Sequence, residues 1–213
     1  MSKYPRYQDY VIKDGRFVGE FEEMYRDFDD PWEQTTREEN LSYKSIVLFL
    51  CEKYNFQRVM EIGCGFGHFT NEIQKLGIDV LGIDVSETAI QKAKLKFPDG
   101  NFMCGDILEF DLYKNFKPDC IIFSEVTWYI LDKLEKFLSF YHQYSQKEKC
   151  WIIHLLAMYD KNVQKYGVEY FTDLQGVMKY FDLDYEEYGQ ITYKKLDGNS
   201  RTYFLGCPKS IDE

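Results

Sequence analysis

Residues 59–67 read Val-Met-Glu-Ile-Gly-Cys-Gly-Phe-Gly, and this nonapeptide restricts the fold more than any other stretch of the chain. An apolar strand closes on an acid and then on three alternating glycines. A second β-rich run, Asp79-Val-Leu-Gly-Ile-Asp84, also ends in an acid. In α/β sheets this pairing holds a nucleoside: glycine lets the backbone approach the ligand, and the carboxylate after the next strand takes a ribose diol. The spacing argues against a dinucleotide. That fingerprint is Gly-x-Gly-x-x-Gly, whereas Gly63, Gly65 and Gly67 alternate and His68 stands where its third glycine belongs. Glu61 would repel a pyrophosphate and suits a ligand with a cationic ammonium.

Around these two strands, β-rich and helical patterns alternate. Strands are expected at 58–62, 79–84, 101–103, 119–123 and 151–155, and helices at 41–54, 67–76, 86–97 and after residue 131. Gly77 stops the second helix and Pro98 the third, while Ser86 is placed as an N-cap. A helix at 174–181 precedes β-rich runs at 185–193 and 201–207, with Asp197-Gly198 as the hairpin turn between them. The pattern predicts an α/β fold: a doubly wound, mostly parallel seven-stranded sheet with an antiparallel strand in its edge hairpin. Residues 1–40 lack a strong period and carry a cluster of acids (Glu20, Glu22, Glu23, Asp27, Asp29, Asp30, Glu33), so they are read as an arm capping the site of a domain spanning 41–213.

The 213 residues suit one domain, and 45% apolar with 29% charged residues describe a globular chain. A formal net charge of −10 disfavours nucleic acid as partner. No apolar run is long enough to span a bilayer and no signal-like segment opens the chain, so a cytoplasmic protein with a small-molecule partner is expected. The six cysteines show no metal-binding spacing; they are read as reduced, and no metal is expected. Oligomeric state is not encoded in any pattern.

On the Glu61-Ile-Gly-Cys-Gly-Phe-Gly67 and Asp84 motifs, the chain resembles the class I S-adenosylmethionine-dependent methyltransferases. The resemblance implies S-adenosyl-L-methionine as cofactor. Glu61, Gly63, Gly65 and Gly67 would wrap its methionine half, Asp84 the ribose hydroxyls, and Asp106 with Ile107 the adenine, between Val85 and Phe66 as walls. The run Ser124-Glu125-Val126-Thr127-Trp128-Tyr129 replaces the Pro-Pro-Tyr type sequence of nucleobase methylases. It is similar to small-molecule enzymes of the nodulation-factor N-methyltransferase type, and Asp30-Pro31-Trp32 is similar to a segment of that group whose tryptophan lies over the cofactor. Residues 165–172 resemble a segment of surface-glycan methyltransferases. Ser124 is then assigned to the cofactor, and Tyr10, Trp128 and Tyr129 to the acceptor.

Methyl transfer from a sulfonium is an in-line displacement, so positioning supplies much of the rate, on the order of 7–11 kcal/mol. A hydroxyl acceptor benefits from a general base; an amine needs only to be deprotonated. His154, placed at the end of the fifth strand, is the first candidate base and Glu125 the second. The acceptor expected is an amino or hydroxyl group of a sugar or nucleotide-linked sugar. Alternatives are a protein or natural-product methyltransferase and a non-catalytic cofactor-binding module.

Overall fold

The computed structural model describes residues 2–33, 44–159, 165–192 and 200–209. Its main sheet has seven strands: β3 (Arg58–Ile62), β4 (Asp79–Asp84), β5 (Asn101–Cys104), β6 (Cys120–Ser124), β7 (Trp151–Met158), β8 (Asp184–Thr192) and β9 (Ser200–Cys207). Their spatial order is β5-β4-β3-β6-β7-β9-β8. The first five are parallel, and β9 runs antiparallel between β7 and β8, with a register shift between Tyr185 and Glu187. This is the doubly wound sheet that the alternating pattern predicts. The turn expected at Asp197-Gly198 and the first three residues of the helix expected from Leu41 lie outside the described residues.

Burial along the strands follows their place in the sheet. All five residues of β6 (Cys-Ile-Ile-Phe-Ser) are buried, as a central strand covered on both faces requires, whereas edge strand β8 alternates exposed and half-buried residues. One face packs under α6 (Leu131–Glu148), whose Leu131, Leu134, Phe137, Leu138 and Tyr141 recur at helical spacing and are all buried. Those side chains meet Met60, Ile121, Phe123 and Phe204. The other face is covered by α2 (Ser45–Lys53) and α3 (His68–Gln74), where Val47, Leu50, Phe69 and Ile73 meet Val59, Val80 and Ile122. The remaining helices are α4 (Glu87–Lys96), α5 (Phe110–Phe116) and α7 (Leu174–Phe181). All six cysteines are free, and four of them are buried.

Residues 2–33 are more ordered than their weak periodicity suggests. Ile12–Lys13 (β1) and Arg16–Phe17 (β2) form a hairpin through Asp14-Gly15, whose φ angles of 52° and 74° are the paired positive values of a tight hairpin turn. Helix α1 (Phe21–Asp27) follows. Tyr10, Val11, Met24 and Tyr25 form a small core that closes on Phe66 of the glycine turn and Ala89 of α4.

A candidate cofactor and acceptor cavity

Chain order reverses between β3 and β6, so the carboxyl ends of β3, β4 and β6 open a crevice at the switch point, where ligands sit in open α/β sheets. The glycine turn is tied to the neighbouring strand, since the Gly63 and Cys64 amides donate to the Ile83 carbonyl (2.8 and 3.0 Å). Gly63 has φ +72°, and a Cβ there would lie 2.6 Å from Val126 Cγ2. Only glycine meets both conditions. Asp84, at the end of β4, is 7% exposed. Its Oδ2 accepts from the Gly65 amide (2.9 Å) and its Oδ1 from the Ser86 amide (3.0 Å). Burial raises its pKa to about 6 despite those amides. At neutral pH it therefore presents a pre-oriented carboxylate of high proton affinity, a strong acceptor for paired hydroxyls.

A second carboxylate stands beside it. Glu22, from α1, accepts from Ser86 Oγ (2.6 Å), the Thr88 amide (3.1 Å) and Thr88 Oγ1 (2.6 Å). These donors sit at the N-terminus of α4, and with Arg26 they outweigh desolvation and lower the Glu22 pKa to about 2. Ser86 is also the α4 N-cap, its Oγ accepting from the Ala89 amide (3.1 Å). Lys92 of α4 completes the docking by donating to the Tyr25 carbonyl (2.9 Å).

Between the sheet and residues 2–33 lies a cavity of about 600 Å³. Of the residues singled out in the sequence, it brings together Trp32, Gly63, Asp84, Val85, Asp106, Ile107, Ser124, Glu125, Trp128 and Tyr129. The cavity also takes in Phe17, Phe21, Glu22, Lys44, Lys133 and Arg201, which sequence reasoning did not select. Trp32 and Tyr129 pack with ring centroids 5.5 Å apart, and Phe21 lies edge-on to Tyr129 at 5.8 Å. Trp128 reaches the wall, but its indole N–H donates to the Ala157 carbonyl (2.9 Å). Asp106 accepts from the Leu108 amide (2.9 Å) and is paired with Lys133.

Other expected site residues stand outside the lining. Glu61 is 2% exposed and accepts from Thr70 Oγ1 beneath the turn; burial raises its pKa. Gly65 and Gly67 hold positive φ angles (55° and 75°), and a Cβ on Gly67 would lie 2.4 Å from the Phe102 ring. Phe66 packs under Tyr25, ring centroids 5.2 Å apart, and so belongs to the wall between arm and domain. Tyr10 is completely buried and donates to Asp27, which corrects its assignment to the acceptor.

The placement of His154 on the rim is also corrected. Strand β7 continues to Met158, so His154 lies inside it, fully buried. The ring stacks on Phe204 (4.7 Å, 4° between planes) and contacts Phe181 edge-on, and Nε2 lies 2.8 Å from Thr127 Oγ1. Burial pushes its pKa down to about 3. It is a neutral core histidine. His68 does border the cavity, with its pKa lowered by burial.

Glu125 remains at the wall. Its φ of +62° directs the side chain back to β7, where Oε2 accepts from the Ala157 amide (2.8 Å) and Oε1 pairs with Arg201 (3.3 Å). Burial raises its pKa against both partners. The adjacent Ser124 Oγ is buried with no hydrogen-bond partner among the described residues, which leaves it available to a ligand. Asp84 and the Gly63 cradle at one end, with an unpartnered hydroxyl beside them, fit a nucleoside carrying a polar tail. Among the described residues no cluster of metal-ligating side chains is present.

Comparison with known proteins agrees with this geometry. Residues 59–146 match the family described as "Methyltransferase domain". Phosphoethanolamine N-methyltransferase of Triticum aestivum is 33% identical over 81 residues, 37% of this chain and 16% of that protein. Ubiquinone biosynthesis O-methyltransferase of Mesorhizobium japonicum is 46% identical over 44 residues, 21% of this chain and 18% of that protein. The matches thus span less than a fifth of these curated relatives. The N-methyltransferase NodS from Bradyrhizobium japonicum WM9, solved with S-adenosyl-L-homocysteine, superposes with a TM-score of 0.64. Identity is 19%, over 85% of this chain and 94% of that one. The fold is thus the one NodS has, and a part of the chain matches a methyltransferase domain. The matched segment, 59–146, carries the glycine turn, Asp84 and Asp106.

Proposed function

We propose that this protein transfers a methyl group from S-adenosylmethionine to an amino or hydroxyl group of a small molecule, in first place a sugar or nucleotide-linked sugar. The observation that carries the reading is the cavity itself. It offers Asp84, Gly63 and Ser124 to a cofactor, and its lining also holds the aromatic rings of Phe17, Phe21, Trp32 and Tyr129. Rings of this kind stack on sugar or planar faces and attract cations, at roughly 0.5–2 kcal/mol for a cation. The bound cofactor supplies an electrophilic methyl on a sulfonium.

The chain's own residues orient the two reactants and exclude water. Asp84 fixes the ribose, Ile107 and Val85 flank the adenine, and the arm's aromatic side chains close the acceptor side. Glu125 takes over as the candidate base, because it borders the cavity and burial holds its proton affinity above the usual carboxylate range. The relatives' names include both an N- and an O-methyltransferase, and both acceptor groups are kept here.

Cofactor with a deuterated methyl group, added to a size-fractionated cell extract, tests the proposal. The expected result is a mass shift of one labelled methyl in a small metabolite, absent with Asp84→Ala. Label confined to protein or RNA would refute the small-molecule acceptor.

A further inference from the structure

Strand order lays out the cavity wall from one side to the other. Asp84 ends β4, Gly63 follows β3, Ser124 ends β6 with Glu125 after it, Ala157 lies in β7 and Arg201 in β9. These five strands are successive neighbours in the sheet. At about 4.8 Å per strand, Arg201 lies roughly 19 Å across the sheet from Asp84, with Glu125 roughly halfway. A nucleoside on Asp84 leaves the β7–β9 side of the cavity to the acceptor, and the Glu125–Arg201 pair borders that side. Glu125 holds a φ of +62°, which a non-glycine residue keeps only where its surroundings fix it. The Ala157 amide on Oε2 (2.8 Å) and the Arg201 guanidinium on Oε1 (3.3 Å) do so. A carboxylate oxygen accepts two hydrogen bonds, so each has capacity for one more from a ligand.

Among the described residues, the charged groups acting on Glu125 are Arg201 from β9 and Lys44 from the residue before α2, both cations. Arg201 is itself buried, where a charge is felt strongly. An aliphatic amine is mostly ammonium at neutral pH, and the two cations disfavour its approach to Glu125. A hydroxyl arrives uncharged, needs a base, and gains from nearby cations as negative charge develops on its oxygen. We propose that the acceptor group is a hydroxyl, that Glu125 takes its proton, and that Arg201 positions Glu125 for this step. The proposal deepens the methyltransferase reading above and rests on it. A lone pair of the acceptor oxygen forms the O–CH3 bond while the S–CH3 bond breaks. The electrons of the broken bond stay on sulfur, which becomes a neutral thioether, and the hydroxyl proton passes to Glu125 and on to solvent. The product is a methyl ether.

Wild-type protein supplied with S-adenosylmethionine carrying a carbon-13 methyl group, in the small-metabolite fraction of a cell extract, tests the acceptor. The carbon shift of the transferred methyl separates a methyl ether from a methylamine. A methyl ether is the expected result; a methylamine would overturn the proposal. No label in any small metabolite would overturn the underlying small-molecule methyltransferase reading, which is a different outcome. Glu125→Gln is expected to slow transfer about 100- to 10,000-fold while S-adenosylhomocysteine binds within a few-fold of wild type. Transfer within a few-fold of wild type would remove Glu125 as the base. The role of Arg201 is read without any reaction, from the carboxyl carbon of Glu125 in glutamate-labelled protein, its resonance assigned by its loss in Glu125→Gln. Arg201→Met is expected to move that titration to higher pH, because a cation that holds the carboxyl ionised is gone, and Arg201→Lys to return it toward wild type. A titration unmoved in folded Arg201→Met would show that Arg201 does not act through Glu125.

Discussion

Single residues decide how much of this site a reader of the sequence can find. Asp84 is legible because an acid closing a strand, after a glycine turn on the strand before, has few other uses. His154 is misread for a local reason. The apolar run at 151–155 predicts a strand end there, but β7 carries on to Met158 and draws the histidine into the core. Its depressed pKa has a testable consequence. Above about pH 6.5 the imidazole is neutral in both states. As pH falls below that, the unfolded chain takes a proton that the folded protein refuses until about pH 3, so stability falls. The slope from this one group is at most about 1.4 kcal/mol per pH unit. His154→Gln is expected to flatten the decline in denaturant-measured stability between pH 6.5 and 5 while leaving turnover at pH 7.5 within a few-fold of wild type. Loss of turnover by orders of magnitude in a folded variant would return His154 to the role of base. Lys44 carried no signal of its own: a lysine beside an unmarked helix start becomes informative only when the fold sets it against buried Glu61.

Elements were legible to different depths. The sheet strands could be read because continuous apolar runs such as Ile121-Ile122-Phe123 suit strands buried on both faces. The hairpin β1–β2 carried a usable signal, Asp14-Gly15 between two β-capable pairs, but strands this short show no alternation. Helix α5 was not foreseen either; seven residues give too few turns to establish a period. The acids of residues 20–33 show in the sequence only as a charge cluster within the capping arm, and two of them, Glu22 and Asp27, are structural. Glu22 joins α1 to the N-terminus of α4 through three hydrogen bonds, next to Asp84. Its placement also contributes to the raised Asp84 pKa. Glu22→Ala is expected to loosen the docking of α1, seen as faster limited proteolysis within residues 2–33 while the sheet domain stays intact. Cleavage unchanged from wild type would show that the aromatic contacts to Phe66 hold the arm without this carboxylate.

Across the whole molecule, a parallel sheet of common design supplies one half of the cavity and a short N-terminal segment supplies the other. The aromatic richness of the chain, 18% of residues, is partly explained by this division. Tyr10, Tyr25 and Phe66 bind the two parts together, while Trp32, Tyr129, Phe17 and Phe21 face the space between them. The formal charge of −10 gives no attraction for a phosphate backbone. What no sequence pattern could supply was the pairing of distant residues across the cavity, such as Glu125 with Arg201, because 76 positions separate them. The central claim is that this cavity holds the cofactor's nucleoside on Asp84. The most direct measurement is titration of S-adenosylhomocysteine into the wild-type protein and into Asp84→Ala at pH 7.5. Saturable binding at one site per chain, weakened at least about tenfold in the variant, is the predicted result. Absence of binding to wild type, or equal affinity in the two proteins, would contradict the account.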